Sequence, residues 1–232
     1  MKVYIKEDSR LFDASVAQIQ LCLAQNIGWL DNIFGLTERL TERKDGKTFT
    51  SANIYTNKGR YIQVMPCAEL GNFCFFYLRD PQKVWEKSAS VLKSPFSVVF
   101  WYDVDKVSSS PAKRNREAVK EQIMAVLGQF HLRGVTYSLE YIYEQPQNVF
   151  KDFDYDHKVN QFLMHPYGGL RIDGELRVNV SCLKAMFGDF NNDFKNYGKK
   201  GVMNMFPKTA DSTSDEILII IEAVAAKQEE AN

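Results

Sequence analysis

The sequence predicts an α+β fold in which a mostly antiparallel sheet is packed by two amphipathic helices and followed by an irregular C-terminal arm. Three observations predict it. Apolar residues recur at three- and four-residue steps in two stretches, they alternate with polar residues at a step of two in several others, and beyond Leu183 no period survives. The chain has 232 residues, 45% of them apolar and 25% charged, which is the balance of an ordinary folded domain. A core domain over residues 1–182 and an arm over 183–232 follow from the change of texture.

A short extended start leads into the first helix, where Phe12, Val16, Ile19, Leu23, Ile27 and Leu30 share one face and Asp13 stands near the entrance. Gly28 interrupts this pattern and Gly35 is expected to end it, with Trp29, Ile33 and Phe34 extending the apolar surface. The polar run Thr41 to Lys47, which contains Asp45-Gly46, reads as a turn into β structure. Strands are expected over 51–56, 61–65, 73–78 and 96–102, all rich in aromatic and β-branched residues, and the first two should form an antiparallel hairpin through Gly59.

Ser110-Pro111 supplies a cap and a first-turn proline for the second helix, whose apolar face is Val119, Ile123, Val126, Leu127 and Phe130. After Gly134, the residues Val135, Tyr137, Leu139, Tyr141 and Tyr143 fall on one side of a pleat, as in a central strand. From Leu170, apolar residues alternate with Arg171, Asp173, Glu175, Arg177 and Asn179, so this strand should have one dry face and one wet face. The stretch 216–226, with Ile217-Leu218-Ile219-Ile220-Ile221, fits a buried strand or the core of a terminal helix.

Several function classes find no support in the composition. Lysine plus arginine equals aspartate plus glutamate at 29 each, so there is no overall positive field to gather nucleic acid or anionic lipid. No apolar run approaches the roughly 20 residues needed to span a bilayer, and the N-terminus lacks the apolar core of a signal peptide. A cytoplasmic location is therefore expected, without membrane or specific nucleic-acid partners. Cys22, Cys67, Cys74 and Cys182 are scattered through apolar stretches as structural thiols are, not paired as zinc ligands are.

Chemistry has few candidates. Asp152, Asp154, Asp156 and His157 alternate as cation ligands can, but a calcium loop would need glycine where His157 stands and glutamate where Leu163 stands. With Phe153 and Tyr155 between the acids, an edge strand or loop with its carboxylates in water explains the same pattern. His165-Pro166-Tyr167-Gly168-Gly169 reads as a tight turn, and nothing local nominates a partner that would make His165 catalytic. Phosphate-binding glycine loops and serine-hydrolase elbows are absent from the sequence. No catalytic residue, metal ligand or cofactor is assigned; Asp152, Asp154, His157 and His165 would be the acid, base or metal candidates if the protein were an enzyme.

The arm raises a different question. Phe187, Phe190, Phe194, Met203, Met205 and Phe206 are apolar side chains without an amphipathic period, and each aromatic ring can bury on the order of 150 to 250 Å². An arm laid across the body or across a neighbouring subunit would take them out of water.

The order helix, strands, helix, strand, acidic aromatic loop and a final long strand announced by Pro166-Tyr167-Gly168-Gly169-Leu170-Arg171-Ile172 resembles the tail terminator and head–tail connector subunits of tailed phages and prophages. The resemblance covers Leu11 to Cys182. It implies a ring-forming virion assembly protein without an active site, located in the host cytoplasm or the virion, whose partners are copies of itself and other virion or tail proteins; the alternatives are an enzyme of an unrecognised family and a small-molecule or peptide-binding module. On that reading the Phe187 to Phe206 segment, with Phe150, Phe153 and Tyr155 of the acidic loop, is expected to make contacts between subunits.

Overall fold

The computed structural model describes residues 1–6, 9–44, 46–55, 60–85, 91–132, 134–155, 161–180 and 218–220. Its spine is a pair of long antiparallel strands, β7 (Val91–Asp103) and β9 (Tyr167–Asn179), matched residue for residue from Val91 opposite Asn179 to Asp103 opposite Tyr167. On one face of this pair lie Phe96, Val98, Phe100, Leu170, Ile172, Leu176 and Val178, all buried in one apolar cluster. Strand alternation sends Ser97, Val99, Trp101, Arg171 and Asp173 to the opposite face. β5 (Phe73–Leu78) extends the sheet on the β7 side, and β8 (Val135–Tyr143) closes it on the β9 side.

Beyond β5 come β2 (Asn32–Lys44), β1 (Lys2–Tyr4) and β10 (Leu218–Ile220), each running parallel to its neighbour, while the remaining pairs are antiparallel. The short β6 (Lys83–Trp85) pairs with the start of β7. The backbone at Leu218–Ile220 is thus a strand, and the rest of 216–226 lies outside the described residues. The arm residues Phe187, Phe190, Phe194, Met203, Met205 and Phe206 lie outside the described residues.

Two helices cover the first face. α1 (Phe12–Asn26) is buried along almost its whole length, and Gln20 fastens it to the sheet by donating from Nε2 to the carbonyls of Tyr4 at 2.8 Å and Ile33 at 3.0 Å. Buried amide groups need such partners, and these two bonds register the helix against β1 and β2 at once. α2 (Arg116–Gln129) presents Val119, Ile123 and Leu127, as its period predicts. Its cap differs from the expectation. Ser110-Pro111 opens a separate turn of 3-10 helix, and the α-helix starts after Asn115, whose side chain accepts from the Ala118 amide at 2.8 Å.

The second face carries its own core. Phe73, Phe75, Tyr77, Val99 and Trp101 from the sheet pack against Ala52 and Val64 from a folded-over ribbon and against Val149, Phe150, Phe153, Tyr155 and Leu163 from a strap that crosses the sheet. The ribbon is β2 with β3 (Lys47–Tyr55) and β4 (Tyr61–Gln63); the strap begins with the short α3 (Pro146–Val149). β3 and β4 are antiparallel, as expected.

Three further expectations need correction. Gly35 does not end a helix: β2 runs through it, and Ile33 and Phe34 join opposite cores. The polar run after Thr41 is strand as far as Lys44, paired with β3 up to Lys44 opposite Lys47. Among the described residues β8 is not central but the terminal strand of the sheet, and its register shifts between Leu139 and Tyr141. That bulge turns Tyr141 and Tyr143 toward the second face, opposite Asp173 and Arg171, while Tyr137 and Leu139 stay with the helices.

Candidate interaction surface

The polar side of β9 is the first surprise of the second face. Alternation predicts that it meets water, yet Arg171 is 0% and Asp173 1% exposed. The Arg171 guanidinium grips Asp173 with two bonds, Nε to Oδ1 at 2.6 Å and the second amino group to Oδ2 at 2.8 Å. Its remaining nitrogen meets Asp152 Oδ2 at 2.8 Å. Ser97 donates to Asp173 at 2.6 Å, Arg79 approaches it at 3.3 Å, and the Tyr77 hydroxyl donates to Asp152 at 2.6 Å. The rings of Tyr77 and Tyr143 lie 5.7 and 5.5 Å from the guanidinium.

These contacts set the charge states. Burial by itself pushes the Asp173 carboxyl upward, but hydrogen bonds from Arg171 and Ser97 and the charges of Arg171 and Arg79 hold it below the usual carboxylate range. Burial likewise opposes the charge of Arg171, and the Asp173 carboxylate more than restores it. Tyr77 is driven above its ordinary value, first by burial and further by its bond to Asp152. Arg171, Asp173, Asp152, Ser97 and Tyr77 bond to one another as a structural lock that ties the strap to the sheet, while the buried Nε of Arg79 beside them makes no hydrogen bond among the described residues.

The other sequence candidates are dispersed by the fold. Asp154 lies further along the strap and works as a strand mimic: its amide donates to the Thr50 carbonyl at 2.7 Å, and its carboxylate accepts from the Thr50 amide at 3.2 Å. Asp154 is exposed, as expected of a loop acid, whereas Asp152 is drawn against the buried Arg171, contrary to the expectation. His165 sits in the turn before β9, where Tyr167 donates to the Met164 carbonyl at 2.8 Å. The two glycines that follow are needed for close approach, since a Cβ on Gly168 would stand 2.6 Å from the Tyr102 ring and one on Gly169 2.6 Å from Leu163. Asp156 and His157 lie outside the described residues. Among the described residues no three His, Cys, Asp or Glu side chains gather as a metal site. Cys22 and Cys74 are buried and free, and burial pushes the Cys22 thiol up to about 11.

Phe150, Phe153 and Tyr155 require a correction. Each is 4% exposed or less, packed in the second core, with Phe153 against Phe75 and Tyr77 and with the Tyr155 hydroxyl donating to the Val64 carbonyl at 2.9 Å. They seal the strap onto their own sheet and have no surface to give another subunit.

What the described surface offers instead is unpaired backbone. Among the described residues the outer edge of β8 has no strand partner, only a single bridge from Leu132 to Val135 at its start, and further along it Tyr141 is 60% and Ile142 40% exposed. The second free edge belongs to the ribbon. β2 leaves β5 after Thr37 and continues from Glu38 to Lys44 with β3 as its one described partner. Thr41, Glu42 and Arg43 there are exposed. At the ribbon's base Tyr55 and Tyr61 are stacked edge to face at 5.1 Å, both exposed, and the Tyr61 hydroxyl donates to Glu38 at 2.7 Å. Sequence reasoning missed both edges. A strand end with water on both sides shows no alternation, and a bulge scrambles the alternation that would mark β8.

No described helix is long and apolar enough to cross a membrane. Compared with protein-family models, with curated proteins and with solved structures, the chain matches none.

Proposed function

We propose that the protein is a non-enzymatic assembly subunit of a tailed-phage or prophage virion, forming an oligomeric ring at the neck or tail end. The observation that carries this reading is a pair of dissimilar strand edges without a strand partner among the described residues, the outer side of β8 and the ribbon strand Glu38–Lys44, on one subunit. Head-to-tail association needs two different surfaces that fit each other, and it closes into a ring when the rotation between copies allows. Exposed strand edges are liabilities that lone proteins blunt, whereas an assembling subunit uses them. The remaining charged candidates on the second face are consumed in locking strap to sheet, which is consistent with a rigid building block.

Partners under this proposal are copies of the chain and neighbouring virion or tail proteins. The apolar arm residues Phe187, Phe190, Phe194, Met203, Met205 and Phe206 would add a second contact between copies. Negative-stain electron microscopy of the concentrated full-length protein tests the reading. Closed rings in end-on view are the expected result, and a field of single compact particles at every concentration contradicts it.

A further inference from the structure

We propose that a row of cations across the second face of the sheet is the docking site of the arm, and that Asp189 and Asp193 of the same chain are the anions it holds. Such docking needs no ring and goes beyond that reading.

Strand register builds the row. Lys83 of β6 stands opposite Lys93 of β7, and Lys93 stands opposite Arg177 of β9. Directly opposed residues point to one side, so these three side chains share the face that carries Ser97 and Asp173. Like charges opposed in this way destabilise a sheet, and an anion among them relieves the cost. Glu175 supplies one negative charge, with its Oε1 at 3.7 Å from Lys93 and 2.5 Å from Arg177 Nε. Arg79, whose amide donates to the Pro95 carbonyl beside the row, adds a fourth cation. Asp173, which Arg79 approaches at 3.3 Å, is already gripped by Arg171. Lys83 and Arg177, at the two ends of the row, are exposed.

Chain path and charge select the occupant. β9 ends at Asn179, just past Arg177, so the arm starts beside the row. Residues 185–194 carry Asp189 and Asp193 and no lysine or arginine. Lys83 lies two strand spacings from Arg177, about 10 Å, and the chain from Asn179 to Asp189 can span up to about 33 Å. An extended stretch from Asp189 to Asp193 covers about 13 Å, close to the length of the row. Both carboxylates then fall on one side, and Phe190 and Phe194 on the other, where they remain available to a neighbouring copy.

The acids before β10 are excluded by position. Leu218 lies in the row that runs through Lys2, Asn32 and Phe73 to Trp101. Trp101 is about 26 Å along β7 from Lys93. Asp215 and Glu216 are tied to Leu218 by a connection of about 10 Å at most, so they cannot reach Lys93.

Hydrogen exchange of the full-length protein, read by mass spectrometry on peptides from 185–194, tests the docking. The wild type is compared with Lys83→Glu plus Arg177→Glu, with Asp189→Lys plus Asp193→Lys, and with all four changes in one chain. Either pair alone should speed exchange in 185–194 at least about three-fold. The four together should restore most of the protection, and peptides of α1 and β5 should be unchanged throughout. Raising sodium chloride from about 0.05 to about 0.5 M should loosen the wild-type arm in the same way, which decides the matter should a variant disturb α1 or β5. Protection independent of protein concentration marks the arm as the chain's own. Three results contradict the docking: wild-type exchange in 185–194 as fast as in an unfolded peptide, protection indifferent to charge and salt, or protection that appears only as concentration rises, which would make a neighbouring copy's arm the occupant.

Discussion

Asp152 in the strap and Arg171 in β9 meet at 2.8 Å, with the guanidinium fully buried and the carboxylate at the margin of the core. This contact converts a loop of alternating acids and rings into a fixed element. Phe153 and Tyr155 insert on the apolar half of the second face while Asp152 closes the polar half, and Asp154 carries the ribbon with it through Thr50. The direction in which the ribbon strand leaves the body is thereby coupled to the sheet.

Removing one member of the buried cluster should be costly. Arg171→Ala leaves Asp152 without its cation and Asp173 with Arg79 alone, and breaking a buried pair in this way typically costs about 3 to 5 kcal/mol. Urea denaturation should show a lower midpoint for this variant and for Asp173→Ala, with a smaller loss for Tyr77→Phe, which removes one hydroxyl donor from Asp152.

Acid should act through Asp173. Its folded-state pKa is depressed, so the stabilisation is complete above the unfolded carboxyl value of about 4 and is lost as pH falls through and below that range. The wild type should therefore lose stability steeply on acidification there. Asp173→Asn, already weaker at neutral pH, should show a flatter acid limb in the same denaturation series.

The bulge in β8 depends on a missing side chain. A Cβ on Gly174 would lie 1.9 Å from the Ser138 carbonyl oxygen, a clash with backbone that no rotamer relieves. Gly174→Ala should lower stability by about 1 to 3 kcal/mol, and amide exchange in β8 should speed up more than in β5.

The two candidate caps of the second helix are separable. Asn115→Ala removes the acceptor of the Ala118 amide and should cost about 1 kcal/mol. Ser110→Ala, at a turn where the side chain makes no cap bond, should leave the melting temperature almost unchanged.

These contrasts show where the fold was legible from residue order. Where one face of an element meets a core and the other meets water, as along α2 and the apolar side of β9, period alone located it. The Arg171 side of β9 was misread because its partners, Asp152, Arg79 and Ser97, come from three distant segments, and a local pattern cannot tell a paired buried charge from a hydrated one. β8 was misplaced for a related reason. Its tyrosines alternate as in a core strand, but the bulge at Glu140 sends Tyr141 and Tyr143 to the other face, and terminal position in a sheet depends on what pairs next, not on composition. The interface expected at Phe150, Phe153 and Tyr155 failed because an aromatic loop has the same signature whether it covers its own sheet or a neighbour's.

Native mass spectrometry of the full-length protein across a concentration series tests self-assembly most directly. The account predicts one dominant species above the dimer at an integer multiple of the 26.7 kDa subunit, growing with concentration. A spectrum containing the 26.7 kDa species alone at every concentration would contradict it.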